Sequence, residues 1–139
     1  MGENVRILLV EDDPKNVELF QAALEDQHEV VVERDGVAGQ ERALAEVFDL
    51  ILLDIQLPKR SGIDVCRSLR AAGLRVPIVA LSASVLPDEV ARIKDADFSR
   101  FLSKPISPPS LRAAVHDFDV PPSSHPRAAG PSAAGGAPA

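Results

Sequence analysis

The sequence is poor in the residues that form disulfides, cysteine metal clusters and aromatic surfaces. It has one cysteine, no tryptophan, no tyrosine and only 5 phenylalanines in 139 residues. A single cysteine excludes an internal disulfide and a metal site built from cysteines. Cys66 stands between Ile63 and Leu69 at helical spacing, so we predict a buried helix residue rather than a reactive thiol.

The sequence also lacks excess positive charge and long apolar runs. Its formal net charge is -6, with no stripe of lysine and arginine, which argues against a nucleic-acid-binding surface. No apolar stretch approaches the ~20 residues of a membrane span. Glu3, Asn4 and Arg6 interrupt any signal-peptide core at the N-terminus. We therefore expect a soluble, cytoplasmic protein without membrane insertion.

Short apolar runs alternate with segments of helical period along the chain. Five strands interleaved with five helices are typical of an α/β fold with a doubly wound parallel sheet. The first, third and fourth strands are the most apolar, so we expect them in the centre of the sheet with both faces covered. The predicted strands are residues 6–11, 29–33, 50–54, 78–81 and 100–103.

Each predicted helix has apolar residues at helical spacing, which we expect to face the sheet. Asp13 before Pro14, and Ser107 before Pro108, indicate helix starts. Gly73 is a predicted C-terminal cap. The apolar positions are Val17, Phe20 and Leu24 in the first helix, Val37, Leu44 and Val47 in the second, Ile63, Cys66 and Leu69 in the third, Val90 and Ile93 in the fourth, and Leu111, Ala114, Val115 and Phe118 in the fifth.

The composition changes near residue 119, where alanine, glycine, proline and serine begin to dominate. This stretch offers few side chains that could pack, so we predict one folded domain over residues 1–119 and a disordered tail over residues 120–139.

Side chains with functional groups follow four of the predicted strands. Glu11 and Asp12 follow the first strand, Asp54 ends the third, and Ser82 and Lys104 follow the fourth and fifth. In a parallel α/β sheet, ligands bind outside the carboxyl ends of the strands. Each residue alone is more often a cap, turn or surface residue, but their joint placement indicates a site.

The chemistry of this set points to a metal ion and phosphoryl transfer. Three carboxylates in one crevice repel one another unless some are protonated or a cation neutralises them. Oxygen ligands without histidine or cysteine favour Mg²⁺, with Mn²⁺ as an alternative. Asp54 then keeps an oxygen as nucleophile, while Lys104 and Ser82 face the phosphoryl oxygens.

Two pairs of adjacent acids are candidates for binding the metal, Glu11-Asp12 and Asp12-Asp13. Pro14 restricts Asp13 to an extended conformation that suits an N-cap, which favours Glu11-Asp12.

The chain resembles the receiver domain of two-component response regulators. The matching segments are residues 7–12, residues 50–54 with Pro58 and Gly62 following, residues 80–83, and Lys104-Pro105. They span residues 5 to about 118. The resemblance implies a flavodoxin-like fold with strand order 2-1-3-4-5. It also implies phosphorylation of Asp54, with Mg²⁺, by the phosphohistidine of a histidine kinase or His-containing phosphotransfer protein.

The resemblance also implies a role for each site residue. Asp12 and Asp54 would ligate Mg²⁺ directly, Glu11 through water, and Gln56 through its backbone carbonyl. Ser82 and Lys104 would contact the phosphoryl group, Ser82 and Phe101 would form the switch, and the Lys104–Pro105 bond would be cis.

Three residues depart from the family pattern. Asp97 and Phe98 stand where glycine and alanine are usual, so we expect a distorted turn and a pocket for Phe98. Phe101 lacks the hydroxyl of the commoner tyrosine, so packing alone would distinguish its two positions.

The resulting hypothesis is a single-domain response regulator, not an enzyme in its own right, with an unidentified downstream target. A start at Met1 close to the first strand favours this over a piece of a hybrid kinase. Phosphorylation would change the surface formed by the fourth helix, fifth strand and fifth helix.

One alternative is a phosphorelay intermediate, and another is a hydrolase of the haloacid dehalogenase type. That hydrolase has a second Asp where Gln56 stands. A flavodoxin-like FMN carrier is disfavoured, because the acids after the first strand would repel the FMN phosphate.

Overall fold

The computed structural model describes residues 5–83 and 86–118, which contain a five-stranded parallel sheet. The strand order is β2-β1-β3-β4-β5, and every neighbouring pair is parallel. The predicted fold class and order are therefore confirmed, with the three most apolar strands in the centre. Residues 120–139, the predicted tail, lie outside the described residues. The strands are β1 (Arg6–Val10), β2 (Glu29–Glu33), β3 (Leu50–Asp54), β4 (Ile78–Ser82) and β5 (Arg100–Ser103).

Five helices in the described part of the chain alternate with the strands and cover both faces of the sheet. The described helices include none that is long and apolar enough to cross a bilayer. The helices are α1 (Pro14–Leu24), α2 (Gly36–Ala45), α3 (Gly62–Ala71), α4 (Pro87–Asp95) and α5 (Pro108–Phe118).

The core consists of two apolar clusters, one on each face of the sheet. Helices α1 and α5 pack on one face through Phe20, Leu24 and Leu111. The cluster on the other face joins α2, α3 and α4, and includes Cys66 and Ile93. Every side chain of β3 is buried, as expected for a strand with helices on both faces.

The predicted helix ends agree with the structure. The Asp13 side chain accepts a hydrogen bond from Lys15 N, and the Ser107 hydroxyl accepts one from Ser110 N. Gly73, at φ +96°, follows the end of α3, and its N–H donates to the Arg70 carbonyl. These side chains and the glycine bond backbone groups left unpaired at helix ends.

Cys66 is fully buried, as predicted. Burial raises the pKa of its thiol to about 11. Its Sγ donates a hydrogen bond to the Ala96 carbonyl, which joins α3 to the end of α4.

The predicted apolar face of α2 was wrong. Val37, Leu44 and Val47 are 39%, 49% and 83% exposed, whereas the buried residues of α2 are Gly36, Gly39 and Ala43. The helix lies so close to β1 that a Cβ on Gly39 would come within 2.8 Å of the Val10 methyl groups. Only small residues fit this contact, so Val37 and Leu44 lie on the outer side of α2, and Val47 lies beyond the end of the helix at Ala45.

The turn between α4 and β5 accommodates both unusual residues. Asp97 adopts the left-handed conformation at φ 71°, which glycine adopts without strain. Arg70 supports the turn by donating from Nε to the Asp97 carbonyl at 3.1 Å. Phe98 is half-buried against the α2–α3–α4 cluster, which provides the expected pocket.

Candidate functional site

Three carboxylates converge at the carboxyl edge of the sheet. One oxygen each from Glu11, Asp12 and Asp54 lies within 4.8 Å of the others. Glu11 and Asp54 are buried, at 0% and 3% exposure, whereas Asp12 is exposed. The sequence placed these acids after two separate strands, and β1 and β3 are neighbours in the sheet.

Backbone hydrogen bonds fix the residues that carry these groups. Glu11 lies one residue beyond β1, and its N–H donates to the Glu33 carbonyl of β2 at 3.1 Å. Asp54 is the last residue of β3, opposite Leu81 of β4. The Lys104 N–H donates to the Ser82 carbonyl at 2.7 Å. Backbone hydrogen bonds at the carboxyl ends of the strands therefore hold the site residues in place.

Lys104 is the cation of the site and contacts two of the three acids. Its Nζ lies 2.9 Å from Glu11 Oε1 and 3.1 Å from Asp54 Oδ2. Burial alone would lower the pKa of Lys104, but its hydrogen bonds to Glu11 and Asp54 outweigh burial and raise it. Lys104 is therefore positively charged and held between the acids. The peptide bond between Lys104 and Pro105 is cis, as the resemblance implied.

The negative charge of the site is only partly compensated. Burial, and then repulsion from Glu11, raise the pKa of Asp54 to about 6, although Lys104 acts in the opposite direction. Glu11 Oε1 is buried and accepts no hydrogen bond from the residues that the structure describes. Its 2.9 Å approach to Lys104 Nζ is a charge contact without hydrogen-bond geometry. A buried, unsatisfied carboxylate oxygen is costly unless a further cation or donor is present.

The donor set fits Mg²⁺. All three side chains offer carboxylate oxygens, and Mg²⁺ favours a few such ligands with water completing the shell. The exposed Asp12 leaves room for water, and the unsatisfied Glu11 Oε1 has capacity for a further partner. The Gln56 N–H donates to Asp54 Oδ1 at 3.1 Å and orients that carboxylate. The role of the Gln56 carbonyl as a metal ligand stays a prediction.

Asp13 lies outside the acidic cluster. Its backbone is extended, at φ -78° and ψ 117°, and its side chain caps α1. Its N–H donates to Glu11 Oε2 at 3.2 Å, which helps to hold Glu11 in place. The geometry therefore favours Glu11-Asp12 as the acid pair, as Pro14 had indicated.

Ser82 and Phe101 lie on the adjacent strands β4 and β5. Ser82 ends β4, is 1% exposed and pairs with Ser103 of β5. Phe101 pairs with Ala80 and is half-buried against the α2–α3–α4 cluster. Their roles as a switch stay predictions.

The sequence did not reveal how closely Gly62 approaches the site. Gly62 begins α3, and a Cβ on it would come within 2.1 Å of the Asp54 carbonyl oxygen. Its occurrence eight residues after Asp54 gives no sign of this contact, because the loop between them must first be folded.

Comparison with known proteins decides the family. The sequence-family model of the response regulator receiver domain matches residues 7–116. This chain belongs to the response regulator receiver domain family. Receiver domains act in phosphorylation-based signalling, so the alternatives of a haloacid dehalogenase-type hydrolase and an FMN carrier have no support.

Relatives of this receiver domain occur in regulators and in sensors. The chain is 38% identical over 112 residues to the transcriptional regulatory protein DltR of Streptococcus agalactiae, which covers 80% of this chain and 50% of that protein. It is 35% identical over 116 residues to the sensor protein GacS of Pseudomonas syringae, which covers 79% of this chain and 13% of that protein. The chain thus spans about half the length, or less, of these relatives.

A solved structure of a receiver domain has the same fold as this chain. The receiver domain of a sensor histidine kinase from Pseudomonas aeruginosa, described with a magnesium ion coordinated in its active-site cleft, has a TM-score of 0.77 and 32% identity. The likeness covers 83% of this chain and 97% of that chain.

Proposed function

We propose that Asp54 of this receiver domain accepts a phosphoryl group from the phosphohistidine of a histidine kinase or a His-containing phosphotransfer protein. The observation that carries the proposal is the convergence of three carboxylates within 4.8 Å with Lys104 held on two of them. The chain is then a phosphoacceptor in signalling rather than an enzyme with its own substrate.

The transfer is a displacement at phosphorus. A carboxylate oxygen of Asp54 attacks, the O–P bond forms, and the P–N bond of the phosphohistidine breaks. The electron pair stays on the imidazole nitrogen of the donor, which takes up a proton from solvent. The products are an acyl phosphate on Asp54 and a free histidine on the donor.

The other residues of the site stabilise charge and orient the nucleophile. Glu11, Asp12 and Asp54, with the Gln56 carbonyl, would hold Mg²⁺, which supplies positive charge beside the phosphoryl oxygens. Lys104 would leave part of its contact with Asp54 for a phosphoryl oxygen. The Ser82 hydroxyl, at the end of the neighbouring strand, would donate to another.

The output surface would be the one formed by α4, β5 and α5. Lys104 and Ser82 end adjacent strands, and a phosphoryl group contacting both would move the loops that lead to α4 and α5. Helix α4 buries little of its surface against the domain, since Ile93 is the one residue of this helix that is buried. The half-buried Phe101 could turn inward as Ser82 moves. A phosphoryl group can shift this equilibrium only by its differential affinity for the two states.

Phosphotransfer profiling tests the reaction. A panel of histidine kinases and phosphotransfer proteins, each labelled from radioactive ATP, is mixed with wild type and Asp54→Asn in the presence of Mg²⁺. At least one donor should pass its label to wild type and none to the variant. Equal labelling of both chains would remove Asp54 as the acceptor.

Hydrogen exchange of the chain, with and without beryllofluoride, tests the output surface. Changes should concentrate in residues 87–95 and 100–116. Changes confined to residues 14–26 and 62–72 would contradict this surface.

A phosphorelay intermediate is the second candidate, favoured by the match to a sensor protein at an identity close to that of the regulators. Rapid return of the label from Asp54 to a second phosphotransfer protein would favour the relay role. A long-lived phosphoryl group would favour direct output.

A further inference from the structure

Gly62 lies directly against the backbone of the phosphoacceptor Asp54. A Cβ on Gly62 would come within 2.1 Å of the Asp54 carbonyl oxygen and 2.9 Å of Ile55 Cα. The Gly62 N–H donates to the Ile55 carbonyl at 2.8 Å. Real Cβ contacts essentially never fall below 3.0 Å, so a side chain at this position must separate the start of α3 from the Asp54–Ile55 peptide.

We propose that Gly62 is a positioning residue for phosphoryl acceptance: by letting α3 begin against the end of β3, it sets where the Asp54 carboxylate lies. This inference rests on the proposed function of Asp54. The carboxylate contacts Lys104 Nζ at 3.1 Å and shares a cluster 4.8 Å across with Glu11 and Asp12. Such distances tolerate little displacement, and misplacement of a reacting group by about 1 Å can cost roughly 100-fold in rate.

Both partners in this contact are firmly held, so neither can give way alone. Helix α3 is anchored by Ile63, Cys66 and Leu69, each at most 1% exposed. The Ile55 N–H donates to the Leu81 carbonyl at 3.0 Å, which fixes the peptide to β4. An opening from 2.1 Å to at least 3.0 Å must therefore be shared, and the end of β3 moves with Asp54.

Gly36 provides a matched control. It is the first residue of α2, as Gly62 is of α3, and both are buried. A Cβ on Gly36 would come within 2.0 Å of a backbone carbonyl oxygen, but that oxygen belongs to Arg60 in the loop before α3. The two substitutions thus create similarly severe clashes with a backbone carbonyl, and only that of Gly62→Ala is with the peptide of the phosphoacceptor itself.

The experiment compares wild type, Gly62→Ala and Gly36→Ala. Phosphorylation by phosphoramidate and Mg²⁺ affinity from NMR titration are measured where circular dichroism shows each chain folded. Both variants should melt at lower temperature. Gly62→Ala should label about tenfold or more slowly and bind Mg²⁺ more weakly, whereas Gly36→Ala should stay within about twofold of wild type.

The outcomes separate this inference from the proposed function. If wild type fails to label at Asp54, the proposed function itself is wrong. If wild type labels and Gly62→Ala labels within about twofold of it, or both variants lose labelling equally, the positioning role is overturned.

Wild type alone supplies a second test, which holds even if Gly62→Ala does not fold. Beryllofluoride with Mg²⁺ should shift the amide resonance of Gly62 more than that of Gly36. A Gly62 resonance that stays in place, or moves no more than that of Gly36, would overturn the inference.

Discussion

At the scale of single residues, the site has more negative than positive charge. Lys104 contacts Glu11 and Asp54, yet the pKa of Asp54 is raised because burial and the Glu11 charge outweigh the lysine. A site with surplus negative charge is suited to bind a divalent cation, and the exposed Asp12 adds to that surplus.

Asp54→Asn should stabilise the metal-free protein at neutral pH. The folded-state pKa of Asp54, about 6, lies above its ordinary value of 3.8. The charged form of Asp54 therefore lowers the free energy of unfolding. This loss of stability is absent below about pH 4, grows as the pH rises to about 6 and is complete above that pH. We expect a gain on the order of 2 kcal/mol at about pH 7.5 in EDTA.

Thermal unfolding in EDTA between about pH 4 and pH 8 checks this prediction. Glu18→Gln, on the exposed side of α1, is the control for removing one negative charge. A variant that is less stable than wild type at all pH values would show that Asp54 has a net stabilising role.

Lys104→Ala should separate labelling from response. Loss of this cation leaves in place the acids that we propose as Mg²⁺ ligands, so labelling of Asp54 should remain detectable. The contact through which a bound phosphoryl group would displace the end of β5 is lost with the lysine, so beryllofluoride should no longer shift the amide resonances of residues 100–116. Lys59→Ala, which removes an exposed lysine outside the acidic cluster, is the control and should respond as wild type does. An intact response in Lys104→Ala would show that the signal bypasses Lys104.

At the scale of single elements, the turn after α4 contains a residue in a conformation that favours glycine. Asp97→Gly should keep or raise the free energy of unfolding, by up to about 1 kcal/mol, because glycine adopts a positive φ without strain. The ion pair with Arg70 should contribute little against this, because its two charged atoms are 3.7 Å apart and the Asp97 side chain is 69% exposed. Ala91→Gly, at an exposed position inside α4, should lower stability by about 1 kcal/mol. Urea unfolding of both variants decides it, and a clear loss in Asp97→Gly would mean that its side chain stabilises the turn.

The elements differ in how far the sequence could predict them. The strands were recognisable because buried parallel strands are short, continuous apolar runs, as residues 50–54 show. The inward face of α2 was not, because periodicity assumes that large apolar side chains face the sheet, whereas Gly39 and Ala43 do so here. The Gly62 contact was equally hidden, since it depends on the folded path of the loop after Asp54.

At the scale of the whole molecule, the site forms only when the sheet is complete. Its residues come from the ends of β1, β3, β4 and β5, separated by up to 93 positions between Glu11 and Lys104. The strand order that brings them together followed from the resemblance to a family, because alternating strands and helices are compatible with more than one order.

Deleting residues 121–139 should leave the melting temperature within error. This stretch has few side chains whose burial could offset the backbone entropy of ordering it. Calorimetry of the truncated and full chains is the measurement. A loss of several degrees would show that the stretch packs on the domain.

The proposed function depends on the acceptance of a phosphoryl group by Asp54 with the help of a divalent cation. Intact-mass spectrometry after incubation with a small phosphodonor tests it most directly, on wild type and Asp54→Asn, with Mg²⁺ or with EDTA. We predict one added phosphoryl group on wild type with Mg²⁺, and none on the variant or in EDTA. Equal labelling of Asp54→Asn, or labelling that EDTA leaves unchanged, would contradict the claim.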